Sequence, residues 1–209
     1  MRSAEPLLEV TPYVTSWTGE QEPRSALVER AGRLAYPMDS LYDRDRNGVL
    51  WSRTPLRPGH GRPDFGRVHP LRQRRAMADL LCQVCAQPAD RDEDGVLWLL
   101  PDFQDDWAGW PTRMAAVEPP VCLGCVRVSV RYCPALRKGA VAVRVRDSTV
   151  VGVYGALYRP GPLGPVPVGV DTVAYDDPRT RWVRAERLVR ELGDSTIVPL
   201  ETLTCGQGE

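Results

Sequence analysis

The sequence predicts an α+β fold in which helices and a small antiparallel sheet surround a four-cysteine centre, with a further helix near the C-terminus. Two C-x-x-C pairs, Cys82/Cys85 and Cys122/Cys125, mark the centre. Apolar residues recur at helical spacing in the segments that lead into each pair or out of it. The last third of the chain alternates apolar and polar residues, as half-buried strands do.

In chain order, residues 1–22 read as a polar, proline-interrupted arm with one short extended piece, Leu7-Leu8-Glu9-Val10. Residues 23–34 predict a short helix, because Leu27 and Val28 recur at Ala31 and Leu34. Asp43-Arg-Asp-Arg-Asn-Gly48 is a turn signal ahead of a Val49–Trp51 strand, and residues 54–70, rich in proline and glycine, predict loop. Leu71–Leu81 predicts a helix delivering the chain to Cys82, with Leu71, Ala76, Met77, Leu80 and Leu81 on one face. A second turn, Asp90–Gly95, leads to a Val96–Leu100 strand; it echoes the first, since Asp43–Trp51 and Asp90–Trp98 agree at seven of nine positions. Residues 102–120 predict an irregular excursion. A helix from Cys122 should stop near Tyr132, because proline at 134 pushes the preceding residue out of helical geometry. Ala140–Arg146 and Thr149–Tyr158, joined at Asp147-Ser148, predict a hairpin, and a third strand is expected near Val168–Tyr175. Asp177 as N-cap, Pro178 at the first helical position and the stripe Trp182, Ala185, Leu188, Val189, Leu192 predict a helix closed by Gly193. A strand at Thr196–Leu200 and a tail bearing Cys205 complete the chain. The corresponding division is 1–70 (arm, short helix and loop), 71–139 (metal-binding region) and 140–209 (strands plus helix).

Lys and Arg total 27 and Asp and Glu total 27, so the whole chain exerts no net pull on nucleic acid or anionic lipid. Only one of the basic residues, Lys138, is lysine, which reads as a GC-rich coding bias. No apolar run has the length of a signal peptide or of a bilayer span, so a soluble, cytoplasmic protein with no membrane partner is expected. In a reducing compartment paired C-x-x-C segments favour metal over disulfides.

Each C-x-x-C supplies two thiolates from one tight turn, and two of them complete the tetrahedral shell of a structural zinc ion: Cys82, Cys85, Cys122 and Cys125. The 36 residues between the pairs raise the closure entropy by only about 1 kcal/mol, against roughly 10–16 kcal/mol for thiolate–zinc binding in small domains. The alternatives are four reduced core thiols or a redox pair. Cys133 reads as a core residue and Cys205 as a free thiol.

A helix into Cys82-Gln-Val-Cys85, a hairpin, and Cys122-Leu-Gly-Cys125 opening a second helix resemble, over residues 71–138, the treble-clef zinc scaffold of HNH nucleases. That family carries a catalytic histidine between its cysteine pairs and a further histidine or asparagine after the last cysteine. Here His60 and His69 both precede Cys82, and Val126 and Arg127 follow Cys125. The resemblance therefore implies a scaffold without the nuclease chemistry.

Two segments are locally basic. One runs from Arg53 to Arg75 and includes Arg72, Arg74 and Arg75; the other holds Arg127, Arg131, Arg137, Lys138, Arg144 and Arg146. If both flank the metal they form a face for nucleic-acid phosphates, with an arginine surface of compositional origin as the bland alternative. The acidic stretch Asp90–Asp106 opposes that reading, and Trp107 and Trp110 within or beside it are candidate anchors for a protein partner. The Asp-x-Asp-x-Asn/Asp-Gly strings match the first half of a calcium loop and lack the closing glutamate. The first expectation is thus a non-catalytic, zinc-stabilised module associated with nucleic acid or regulation. A protein-interaction subunit is the second. The third is an enzyme of unrecognised type, using His60 or His69 with a carboxylate such as Asp64.

Overall fold

The computed structural model describes residues 11–23 and 25–204; the Leu7–Val10 piece and Cys205 lie outside them. It shows a mixed α/β architecture of small sheets and few helices. In chain order the elements are β1 (Thr15–Trp17), β2 (Val28–Arg30), β3 (Arg33–Ala35), β4 (Leu50–Trp51), β5 (Pro63–Val68), α1 (Pro70–Asp79), β6 (Arg91–Asp92), β7 (Gly95–Pro101), β8 (Met114–Ala116), α2 (Leu123–Tyr132), β9 (Ala140–Val145), β10 (Ser148–Arg159), β11 (Val166–Ala174), β12 (Val183–Leu192), β13 (Ser195–Val198) and α3 (Leu200–Thr204).

Two sheets dominate. One runs β11-β10-β12-β4, with β8 also on β12, and packs against Met77 of α1 through Val49, Trp51, Val153, Val173, Val183, Ala185 and Leu188. The other runs β13-β9-β7-β6 and is covered on both faces. Val96, Trp98, Leu100, Val141, Val143 and Val145 meet Trp110 and Leu192 on one side. Leu97, Leu99 and Ala142 meet Cys82, Val121, Val126 and Leu136 on the other. Burial on both faces explains why Val96–Leu100 is apolar without alternation.

The strands at Val49–Trp51, Val96–Leu100, Val168–Tyr175 and Thr196–Leu200 and the helices at Leu71–Leu81 and Cys122–Tyr132 fall where the sequence places them, within a few residues. Other expectations fail. The described residues between 23 and 34 form no helix: β2 and β3 make a hairpin whose turn, Ala31-Gly32, takes φ of 51° and 71°, the left-handed pair that a two-residue turn demands. The arm and the loop at 54–70 contribute β1 and β5, which pair with Thr15 opposite Val68.

The C-terminal helix is also absent in the form expected. Asp177 caps only a 3-10 turn, Pro178–Trp182, by accepting from the Arg179 N–H, and the segment with the helical stripe is strand β12. Its helix-favouring side chains lose to position: β12 is hydrogen-bonded between β10 on one side and β4 and β8 on the other. The actual C-terminal helix is the five-residue α3.

The hairpin expected at Asp147-Ser148 does not form either, although both strands exist. Neither residue has the positive φ of a tight hairpin turn, and the chain runs on from one sheet into the other. Val145 faces Ser195 and Ser148 faces Leu192 in the same register, and the step between is bridged by Arg146 N–H to Asp194 O (2.9 Å) and Gly193 N–H to Asp147 O (2.8 Å). β9–β10 and β12–β13 are therefore one antiparallel ladder passing through both sheets.

Candidate metal centre

α1 stops when Leu80 turns left-handed (φ 52°) and the Leu81 N–H donates to Ala76 O at 2.9 Å, a helix end that swings Cys82 inward. The Cys82–Cys85 turn is closed by Cys82 N–H to Gln87 O (2.7 Å) and Ala86 N–H to Cys82 O (2.9 Å), with Ala86 at φ 60°. The Val84 N–H points at Cys82 Sγ, 3.4 Å away. The second pair sits at the start of α2, where Cys122 occupies the N-cap position and Cys125 N–H donates to Cys122 O at 3.0 Å. Backbone bonds draw the pairs together: Gln83 N–H to Pro120 O (3.0 Å), Asp90 N–H to Val121 O (3.1 Å) and Val121 N–H to Leu97 O (2.9 Å).

The four Sγ atoms consequently lie within 4.8 Å of one another, and Cys85 and Cys122 approach to 3.6 Å. A tetrahedron with metal–sulfur bonds of about 2.3 Å places its sulfurs about 3.8 Å apart, so the residues present fit a single four-coordinate ion. Among the described residues no other group of three or more His, Cys, Asp or Glu side chains is arranged to hold a metal.

The electrostatics point the same way. Burial, together with the neighbouring sulfurs, pushes the Cys122 thiol up to about 11 and Cys125 upward as well. Burial also opposes ionisation of Cys85, but the Gln87 backbone and hydrogen bonds from the other cysteines outweigh it and hold that thiol below its ordinary value. Four thiolates this close need a cation between them. Cys133 caps the C-terminal end of α2 and packs, partly buried, against the same core as the cluster.

The other residues singled out from the sequence are dispersed. Arg72 is buried and donates to both Glu20 oxygens at 2.7 and 2.6 Å, so it presents nothing to a nucleic acid. Arg74 lies over the Trp51 ring, 4.3 Å from its centroid, and the exposed Arg75 sits 3.9 Å from Asp79. Arg127 and Arg131 are exposed on α2, Arg131 beside the Tyr132 ring. Arg144 is buried against Asp90 (2.5 Å) and Asp92 (3.0 Å), and Arg146 holds Asp94 and Asp194, so the acidic stretch neutralises part of the second basic segment internally. Trp110 is buried in the core of the β7–β9 sheet and is not a surface anchor, whereas Trp107 is 42% exposed.

His69 is fully buried, with Nε2 3.0 Å from Pro55 O and 3.7 Å from Glu20; His60 is exposed; Asp64 accepts from the Gly66 N–H. Among the described residues no hydrogen bond joins either histidine to Asp64. The two calcium-like strings are both Asx turns, Asp45 accepting from Asn47 N–H and Asp92 from Asp94 N–H, and Asp43, Asp90, Asp92 and Asp94 are held by arginines. Sequence reasoning missed Met38, Leu41 and Tyr42, which are 84%, 94% and 95% exposed on a loop braced by the Asp39–Arg44 and Asp43–Arg53 pairs. The signal was three large apolar side chains in an otherwise polar, proline-led segment.

Comparison of the chain with protein-family models, with curated proteins and with solved structures finds no match.

Proposed function

We propose that this chain is a non-catalytic, zinc-stabilised module that binds nucleic acid through α2. Four thiolates in a compact tetrahedral set select zinc over harder divalent ions, and a closed shell of protein ligands is the mark of a structural ion. A turn bearing one cysteine pair, the β6–β7 hairpin and a helix bearing the other pair support the treble-clef reading. The lack of histidine between or after the pairs supports a binding role over cleavage.

The observation that carries the proposal is the surface that follows the metal. Arg127, Arg131, Arg137 and Lys138 are exposed on or just beyond α2, and among the described residues none has a carboxylate partner. The cysteines at the start of α2 fix its orientation, so those cations form a preset phosphate-facing edge.

Heparin retention and duplex-DNA titration across salt concentrations test this. Each phosphate contact contributes about 0.9 to the slope of log K against log salt; the Arg127→Ala/Arg131→Ala double variant should lower that slope by about 2 while leaving the unfolding midpoint unchanged. Absence of binding at low salt rejects the proposal. The exposed Met38, Leu41 and Tyr42, with Trp107, favour a protein-interaction module as the second reading. That reading gains if DNA binding is absent and a partner's binding is lost in Leu41→Ser or Trp107→Ala.

A further inference from the structure

A second site lies away from the metal, where three separated segments border an open concavity of about 280 Å³. Its lining includes Gly32 and Arg33 from the β2–β3 hairpin, Asn47 and Gly48 from the turn before β4, and Thr180 and Arg181 from the 3-10 turn before β12. No carboxylate lines it. The nearby acids face elsewhere: Asp45 accepts from Asn47 N–H, Val49 N–H, Trp51 Nε1 and Tyr175 OH, and Asp177 is taken by Arg179.

The two arginines here differ from their neighbours. Arg179 holds Asp171 and Asp177, and Arg184 holds Glu22 and Glu186. Arg33 and Arg181 have no hydrogen-bonded or ion-paired side-chain partner among the described residues. Arg33 Nη1 lies 3.6 Å from where a side chain on Gly48 would begin, and Gly48, at φ 77°, leaves that approach open. Two arginines without a carboxylate partner thus line one concavity, and the planar donor forks of their guanidinium groups match the oxygens of a phosphate.

We infer that Arg33 and Arg181 form a binding site for a phosphate monoester. The volume exceeds what inorganic phosphate fills, which leaves room for a small organic group. The surface is separate from α2, so Arg127→Ala/Arg131→Ala should leave it unaffected.

Amide NMR titrations of the full chain at constant ionic strength, with inorganic phosphate, glycerol 3-phosphate and, as a diester, dimethyl phosphate, test the site. Saturable shifts confined to residues 31–33, 47–49 and 180–181, with the monoester bound more tightly than the diester, are the result expected. Arg33→Ala and Arg181→Ala should each weaken glycerol 3-phosphate by about tenfold or more, whereas Arg62→Ala on the exposed loop should not. Preference for the diester would assign the arginines to a nucleic-acid backbone and overturn the inference. So would shifts that spread without saturating, or affinities unchanged in both variants. Arg181→Gln, which keeps the side chain's reach without its charge, repeats the measurement should either alanine variant unfold.

Discussion

Glu20 and Arg72 meet with both side chains buried, and the carboxylate also accepts from the backbone N–H groups of Trp17 (2.9 Å) and Arg57 (2.8 Å). The pair ties β1 and the following loop to α1. Burial alone would raise the Glu20 pKa; the Arg72 guanidinium and the two backbone donors outweigh it and hold the carboxyl at about 2, below its ordinary 4.5. A depressed carboxylate contributes stability that is fully present above the unfolded value and is lost as pH falls from about 4.5 toward about 2, here about 3 kcal/mol. Burial lowers the pKa of His69 beside it, so below its ordinary 6.5 the unfolded chain takes up a proton that the folded chain resists, adding to the acid loss. Glu20→Gln should cost about 3–5 kcal/mol at neutral pH by stranding the buried Arg72 charge. Urea unfolding from pH 7 to 3 should also show a shallower acid limb, with Asp43, which Arg53 holds at about 2, supplying much of what remains.

α1 is locked to β12 by two side chains whose types look solvent-bound in the sequence. The buried Gln73 accepts from Leu188 N–H (2.8 Å) and donates to Leu188 O (2.9 Å) and Val117 O (2.8 Å), completing backbone groups that no strand reaches. Arg190, from β12 itself, donates to Met77 O, Ala78 O and Ser148 O, placing a cation on the C-terminal carbonyls of α1. Gln73→Leu matches the core in volume but leaves the buried N–H and C=O of Leu188 and the part-buried Val117 O without their partner. Denaturant titration should show a loss of about 2–4 kcal/mol, whereas Arg75→Leu on the exposed face of the same helix should fall within about 0.5 kcal/mol. Because β12 is held on both edges and by α1, its helical stripe counts for nothing. A period-3.6 pattern over ten residues also satisfies a strand when register shifts, here opposite Val150–Gly152 and Tyr154–Gly155, let successive apolar residues face a core.

Across the molecule, the ladder that passes from β9–β10 to β12–β13 joins the two sheets through main-chain bonds, and the four-cysteine cluster packs against one face of the second sheet. The cysteines and Val121, Val126 and Leu136 form one core with Leu97 and Leu99, so loss of an ion held by the four sulfurs would disturb that core as well as the four bonds. Chelation at neutral pH should release one equivalent of metal by elemental analysis and destabilise the protein by several kcal/mol, a part of the roughly 10–16 kcal/mol that structural zinc contributes in small domains. Cys122→Ser and Cys82→Ser should match the apo protein, whereas Cys133→Ser should retain the metal and lose only packing. A full metal complement in Cys82→Ser would show that the four sulfurs do not act together.

The clustering of the four cysteines and the helices beside them were legible because their causes are local. A C-x-x-C turn, a proline that ends a helix and an apolar face of one period each act within a few residues. The Asx turns at Asp45 and Asp92 were legible for the same reason. What the linear chain left open is which surface each pattern meets. Whether Ala140–Arg146 turns back or crosses into a second sheet, whether residues 183–192 coil or extend, and whether Arg72 faces phosphate or Glu20 depend on partners distant in the chain. Those choices belong to long-range burial and backbone pairing, because an arginine or a valine has no preference of its own strong enough to make them.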